Sequence, residues 1–246
     1  MERRAFLAAS STLALATPRV LAAASAAEAQ PTPGGSPLLL ELRRYRLRQG
    51  PMAARFGAYA KDALVPALGR AGIAPVGAWS VSVGPDSPTL HLLLPHRDAE
   101  SLVRLDARLL ADAEYSSAAA SYLALPPSDP AFLRCDSSLV AAVPTQPGIE
   151  KPAGRRKIEM FEAGGELALF RRLGMQTVFF GRDLVGTGLP ALTYMLVFAD
   201  VAAREKTWAT FRDDAEWLKL RDQPAFVDIV SGIDSALLRP TDYSQI

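Results

Sequence analysis

Between residues 38 and 47 the chain changes from continuously apolar to alternating. Leu40 and Leu42 fall on one side of an extended backbone and Glu41, Arg43 and Tyr45 on the other, because successive side chains of a strand point to opposite faces. Gly50-Pro51 ends that strand and starts a helix, proline being suited to the first helical turn. Met52, Phe56, Tyr59, Ala63 and Leu64 then recur at helical spacing until Gly72. Residues 76–83 and 89–94 read as the two strands of a hairpin, joined by the Gly/Pro-rich loop 84–88. Asp98 caps a second helix with Leu102, Leu105 and Leu109 as its inward stripe, and Asp112 caps a shorter one. Residues 138–143 read as a fourth strand, cut off by Pro144. This β-α-β-β-α-β order is the ferredoxin-like arrangement, in which two helices cover one face of a four-stranded sheet.

The pattern then recurs. Residues 90–115 align without a gap to residues 192–217, each later position lying 102 after the earlier one. Both stretches pass from an apolar strand, through an Asp, into a helix closed by Asp-Ala-Glu-aromatic; the same offset joins Gly72 to Gly174 and Val83-Gly84 to Val185-Gly186. A repeat of this period implies two copies of one α/β module. In the second copy, residues 155–173 read as the first helix, with Ile158, Phe161, Leu169, Phe170 and Leu173 inward. Residues 176–185 and 192–198 form its hairpin, 201–211 its second helix, and 229–238 hold its last strand. Pro144, Pro147, Gly148 and Pro152 exclude a regular opening strand before residue 155. Seven strands therefore stand where two full modules need eight. Either the second sheet is one strand short, or residues 138–143 serve both modules. The expected domains are 38–144 and 155–246, joined by 145–154.

The first 29 residues read as an export signal. Arg3 and Arg4 precede Phe6 and Leu7, an Ala-rich run extends to Ala16, and Ala27-Glu28-Ala29 offers a cleavage site. The arginine pair is of the twin-arginine type, although Glu2 and Ala8 depart from the fullest pattern and leave the Sec route open. The mature protein is accordingly expected in the periplasm or secreted, with no stable membrane insertion after removal of a signal too short to span a bilayer. Residues 30–37 (QPTPGGSP) form a linker that nucleates neither helix nor sheet.

Charge narrows the partners. The chain has 27 Lys+Arg against 26 Asp+Glu, a formal net charge of +1. No block of like charge is present, which argues against nucleic acid and anionic membrane surfaces. Cys135 is the single cysteine, so an internal disulfide is impossible and no Cys/His cluster offers a zinc site. No nucleotide-binding or hydrolase motif occurs, and the sequence calls for neither a metal nor a cofactor.

Several of these segments resemble the NIPSNAP family. Glu41-Leu42-Arg43 with Tyr45 is similar to its opening strand. Met160-Phe161, Val178-Phe179-Phe180-Gly181, the run from Leu192 to Phe198 and Ala215-Glu216-Trp217 are similar to its second-module signature. The ending from Leu238 to Ile246 resembles the tail of exported bacterial members. The resemblance implies an α+β fold of the dimeric α/β-barrel type: two tandem ferredoxin-like modules, the second lacking its opening strand, with two sheets closing face to face. It carries over no catalytic residues. Pairing of the sheets within one chain or between chains makes a homo-oligomer or an intrachain module pair the expected assembly.

A cavity between such sheets is lined by the strand faces turned away from the helices. Glu41, Arg43 and Tyr45 share one face and are the first candidates to orient a polar ligand; the plainer role is an ion pair fixing the packing. His91 points opposite to Leu90, Leu92 and Leu94 and is a candidate base or haem ligand, against the commoner role of a hydrogen-bonded structural histidine. The second copy has Thr193 in its place. His96, at a strand end beside Arg97 and Asp98, reads as a solvated loop residue. Trp79, Phe179 and Tyr194 are candidate pocket walls, or ordinary core. Trp208, Phe211 and Trp217 read as core, and the acidic pairs Asp112/Glu114 and Asp214/Glu216 as helix starts. Two functions compete: an exported protein that binds or transforms a small molecule between its sheets, and a non-catalytic interaction module whose missing strand exposes an edge.

Overall fold

The computed structural model describes residues 38–142, 157, 159–161, 163–227 and 229–246. The expected signal, the 30–37 linker, the 145–154 linker and Ile158 lie outside the described residues. The strands are β1 (Leu39–Arg46), β2 (Gly77–Val83), β3 (Thr89–His96), β4 (Arg134–Ala142), β5 (Gln176–Val185), β6 (Leu192–Val197) and β7 (Leu237–Pro240). They form one sheet in the order β6-β5-β4-β1-β3-β2-β7, and every neighbouring pair is antiparallel.

Two face-to-face sheets were the expectation; a single continuous sheet is found. β4 pairs with β1 on one side and with β5 on the other, so the fourth strand serves both halves. It begins at Arg134, four residues before the expected start, and the last strand begins only at Leu237. Apolar residues of both end strands, Met195 of β6 and Leu238 of β7, pack onto one cluster formed by Leu40, Trp79, Leu93, Val140 and Phe179. Both contacts are between neighbouring strands, Met195 with Phe179 and Leu238 with β2, and this cluster lies on the inner face of the curled sheet.

Helices cover the outer face. α1 (Pro51–Tyr59) and α2 (Val65–Arg70) are separated by a wider π turn at Ala60–Leu64, where the apolar periodicity predicts one uninterrupted helix. The physical reason is Pro66: it lacks an N–H and its ring crowds the carbonyl four residues earlier, and a widened turn relieves both. α3 (Ala99–Val103), α4 (Leu105–Ala111) and α5 (Ala113–Leu123) follow β3. Phe56, Leu68, Leu92, Leu94 and Leu105 fill the core between these helices and the sheet.

In the second half, α6 (Glu166–Arg172), α7 (Val201–Asp213) and α8 (Ala215–Arg221) cover β5 and β6. Phe161, Phe170, Phe180 and Phe211 make that core. The helix expected across 155–173 is broken: Lys157 and residues 159–161 are helical, but α6 starts afresh at Glu166, after Gly165, whose φ is 89°.

The internal repeat has close structural counterparts. The β2–β3 pairs Gly77/Leu93, Ala78/Leu92, Trp79/His91 and Ser80/Leu90, displaced by 102, give Phe179/Met195, Phe180/Tyr194, Gly181/Thr193 and Arg182/Leu192, all of them pairs of β5 with β6. Asp98 and Asp200 each cap a helix by accepting from the amide three residues on, both at 2.7 Å. Arg70 reaches Asp112 at 2.7 Å and Glu114 at 2.9 Å; Arg172 reaches Asp214 at 2.8 Å and Glu216 at 3.3 Å. Gly72 and Gly174 leave their helices with φ of 79° and 75°. The amide that follows each one closes back on the carbonyl five residues earlier, Ile73 on Leu68 and Met175 on Phe170, both at 2.8 Å.

Those two glycines provide a test of the equivalence. A Cβ at positive φ costs about 1–2 kcal/mol, and neither site has a neighbour within 4 Å to add a clash. Gly72→Ala and Gly174→Ala should therefore each destabilise by about 1 kcal/mol, by similar amounts in urea unfolding.

Candidate functional site

The shared face of Glu41, Arg43 and Tyr45 is observed, but it is turned toward the helices instead of an inter-sheet cavity. Tyr45 decides this. Its ring, 7% exposed, packs 4.6 Å from Phe56 of α1 and 5.2 Å from Phe132, and Leu47 is buried in the same core. Because side chains alternate, burying Tyr45 and Leu47 under the helices carries Glu41 and Arg43 outward with them. Tyr194 is also on the helix side, packed against Phe161, Phe170 and Phe180.

Glu41 is 4% exposed and collects three partners. Arg43 donates Nε–H to Oε1 at 2.7 Å, Ser137 donates its hydroxyl to Oε1 at 2.7 Å, and His96 Nε2 lies 3.2 Å from Oε2. His96, expected as a solvated loop residue, is fully buried, because β3 runs on through Pro95 and position 96 shares the helix-facing side of Leu92 and Leu94. Its Nδ1 lies 3.2 Å from Ser101 Oγ, and the Ser101 hydroxyl donates to the Asp98 carbonyl at 2.7 Å. Both ring nitrogens thus lie within hydrogen-bond distance of side-chain oxygens, Nε2 at Glu41 and Nδ1 at Ser101.

The order Ser101–His96–Glu41 invites comparison with a nucleophile, base and acid. Enclosure and hydrogen bonding argue otherwise: the ring has no exposed surface and the serine proton is committed to a backbone carbonyl. The chain of bonds ties the start of α3 to the centre of the sheet.

Inside the curl, Leu40, Trp79, Leu93, Val140 and Phe179 are in mutual contact. The Trp79 ring lies over Gly77, where a Cβ would stand 2.0 Å from it. A Cβ on Gly181 would stand 2.5 Å from both the Ala141 carbonyl oxygen and Val140 Cγ1. Apolar side chains are thus closely packed at the centre of this face, and Trp79 belongs to that core.

Polar residues flank the apolar cluster. Asp136, Arg44, His91 and Trp79 follow one another across β4, β1, β3 and β2. Arg134, Arg46 and Arg44 approach Asp136 at 2.8, 3.3 and 3.8 Å. The Arg134 hydrogen bond, against a smaller burial cost, holds the Asp136 carboxyl below its ordinary value. His91 is on the inner face as its alternation predicted. Burial first, and the charge of Arg44 second, push it down to about 4. It is therefore neutral near pH 7. On β5, Asp183 is half-buried with Oδ1 unpartnered, and burial raises its pKa despite a hydrogen bond from Thr193.

Sequence reading missed this polar row, since strand register, not local pattern, brings Arg44, His91 and Asp136 together. A separate depression of about 220 Å³ lies on the helix side among Lys157, Met160, Trp217, Arg221, Phe226, Ile229 and Val230. Its lysine is paired with buried Glu166 at 2.9 Å. Among the described residues no group of His, Cys, Asp and Glu is arranged to hold a metal ion, and no helix is long and apolar enough to cross a membrane.

The NIPSNAP family model matches residues 40–126 and 151–245. No match is found among curated proteins. A Fusobacterium nucleatum protein described as a candidate monooxygenase superposes with a TM-score of 0.53 at 12% identity, covering 83% of this chain and 93% of its own. At that identity the likeness concerns the fold: mixed α+β with a curled antiparallel sheet. An uncharacterized NIPSNAP domain protein from Burkholderia xenovorans is 18% identical, covering 45% of this chain and 99% of its own with a TM-score of 0.34. A NIPSNAP family protein of unknown function from Agrobacterium tumefaciens is 14% identical, covering 46% and 94% with a TM-score of 0.36.

Two measurements test the electrostatics. For Glu41, burial alone would raise the pKa, but hydrogen bonds from His96 and Arg43, the Arg43 charge and the Ser137 bond together lower it from 4.5 to about 2. A depressed carboxylate contributes stability above its unfolded pKa and loses it as pH falls through the folded value. The Glu41 contribution should thus be intact above pH 4.5 and fade toward pH 2. Glu41→Gln should cost about 3 kcal/mol at pH 7 and flatten that acid limb in urea titrations. For His91, the imidazole NMR resonances should stay unshifted from pH 8 to 5; a midpoint near 6.5 would contradict the burial argument.

Proposed function

The chain belongs to the NIPSNAP family, and we propose that it is an exported interaction module built from two ferredoxin-like halves, which binds other polypeptides through the open edge of its curled sheet. The partner is a second copy of this chain or another exported protein. One contrast between the two end strands carries the reading. β6 is six residues of Leu, Thr, Tyr, Met, Leu and Val, without a charge or a proline. β7 is only four residues and carries Arg239 and Pro240. Short length, charge and proline are the usual means of blunting a sheet edge. β7 has all three and β6 has none.

The backbone of β6 is also oriented for pairing. Asp183 of β5 donates its amide to Ala191 at 3.1 Å. By antiparallel alternation Thr193 then faces β5, while the amides and carbonyls of Leu192 and Tyr194 point away from it. Among the described residues no strand pairs with that side of β6. Addition of a strand to such an edge gives affinity through main-chain hydrogen bonds.

The competing small-molecule reading needs open space inside the curl, where Leu40, Trp79, Leu93, Val140 and Phe179 are buried in one apolar cluster. Export rests on Arg3, Arg4, Phe6 and Leu7 with the Ala27-Glu28-Ala29 site; cell fractionation with processing at Gln30 tests it. For the edge, Thr193→Lys and Val197→Lys place a charge on β6 at half-buried and exposed positions. Each variant should keep the native circular dichroism yet reduce complexes crosslinked in periplasmic extract, or self-association in light scattering, at least tenfold. Unchanged complexes in folded variants would refute the edge as the working surface.

A further inference from the structure

Continued past Trp217, the offset of 102 sets Arg221 against Ala119 and Pro224 against Tyr122. On the other side of the repeat it sets Lys157 against Arg55 and Phe161 against Tyr59. In the first half Tyr122 closes the contact of α1 with α5. Its ring, 8% exposed, stacks on Tyr59 at 4.0 Å with 7° between the planes, and its hydroxyl donates to the Ala131 carbonyl at 2.9 Å. Ala119, wholly buried, lets the two helices approach.

The second half has neither feature. Proline breaks a helix, and α8 ends at Arg221 after seven residues, where α5 runs for eleven. The depression of about 220 Å³ lies at the equivalent place, between the helical residues Lys157 and Met160 and the end of α8. It opens where the first half has a tyrosine ring.

Size and lining define what fits there. The volume is below the range of about 300–1,000 Å³ for drug-sized ligands and above the roughly 150 Å³ apolar cavity that admits benzene. One ring with a short substituent matches it. Met160, Trp217, Phe226 and Ile229 offer apolar and aromatic surface. Lys157 holds its ammonium 2.9 Å from buried Glu166 and 4.4 Å from the centre of the Phe161 ring, so its charge is balanced within the fold. Arg221 is different. It gives Nε–H to Asp222 at 3.0 Å in an exposed pair, which is worth little. Its terminal nitrogens form the fork that matches a carboxylate.

We propose that this depression binds a small monocyclic aromatic carboxylate, with the ring against Trp217 and Met160 and the carboxylate on Arg221. The ligand ring takes the part that Tyr122 plays in the first half. The site lies on the helix side and is independent of the edge of β6.

The test is calorimetric titration of the mature protein with 3-phenylpropanoate, beside 3-phenylpropanamide, which lacks the charge, and hexanoate, which lacks the ring. The Met160 methyl resonance is followed by NMR as a local reporter. The acid should bind saturably and shift that resonance. Both the amide and hexanoate should bind about tenfold more weakly, as should the acid to Arg221→Gln, the loss expected for one charge-assisted hydrogen bond. Val230→Phe, at a lining position that is 46% exposed, should fill the depression and abolish binding while keeping the native circular dichroism. No saturable binding at millimolar concentration, as a depression covered by the chain's own residues would give, overturns the site. Binding that leaves Met160 unshifted, or that persists in folded Val230→Phe, places the ligand elsewhere and overturns it too. Equal binding of the amide refutes the carboxylate, and equal binding of hexanoate refutes the ring.

Discussion

β4 is hydrogen-bonded along both of its sides, and the rest of the molecule depends on that double pairing. Without it the second hairpin would leave the sheet, and the inner cluster would lose Phe179 and Met195. The contact has a local cost that the repeat reveals. Gly181 stands where the first copy has Trp79, and any Cβ there would strike the Ala141 carbonyl oxygen at 2.5 Å. In the first copy that position turns its indole into the curl and pairs with Pro240. The second copy gives up its side chain so that β5 can approach β4. Divergence between the copies is therefore concentrated where one faces the interior and the other carries a junction.

Two kinds of ion pair hold the structure, and they differ in weight. The Arg70 and Arg172 clamps sit at exposed surfaces, where screening and side-chain entropy leave an individual pair little net effect. Their value is geometric, since each fixes a helix start, that of α5 or α8, against the end of the helix that precedes the hairpin, α2 or α6. Glu41 is different. Buried beneath the helices, it cannot lose His96, Arg43 or Ser137 without leaving an uncompensated carboxylate. That network joins β1, β3, β4 and α3, and so specifies how the first helix after the hairpin meets the sheet.

Much of this was legible in the chain. The order of the strands and the offset of 102 follow from local pattern. The direction of β1 was not legible. Alternation showed that Glu41, Arg43 and Tyr45 share a face, but both faces of β1 carry apolar residues, Leu40 and Leu42 on one and Tyr45 and Leu47 on the other. A sheet covered on both sides removes the contrast that tells inward from outward. The choice was made by Phe56 and Phe132, distant in sequence. His96 was misplaced for a related reason: Pro95 looked like the end of a strand, yet it pairs with Leu40 and β3 continues one residue further. Asp136 beside Arg44 and His91 arises from register between β4, β1 and β3, which no local window contains.

The treatment of the two sheet ends is the most informative asymmetry. A chain under pressure to remain unpaired would blunt both, and this one blunts only β7. The apolar side chains of β6 cannot be explained by core packing alone. Val197 is exposed, as are Val185 and Leu189 at the opposite, hairpin end of the β5–β6 pair. Lysine at such positions would leave the inner cluster intact and protect the edge, so uncharged residues there reflect a requirement outside the isolated fold.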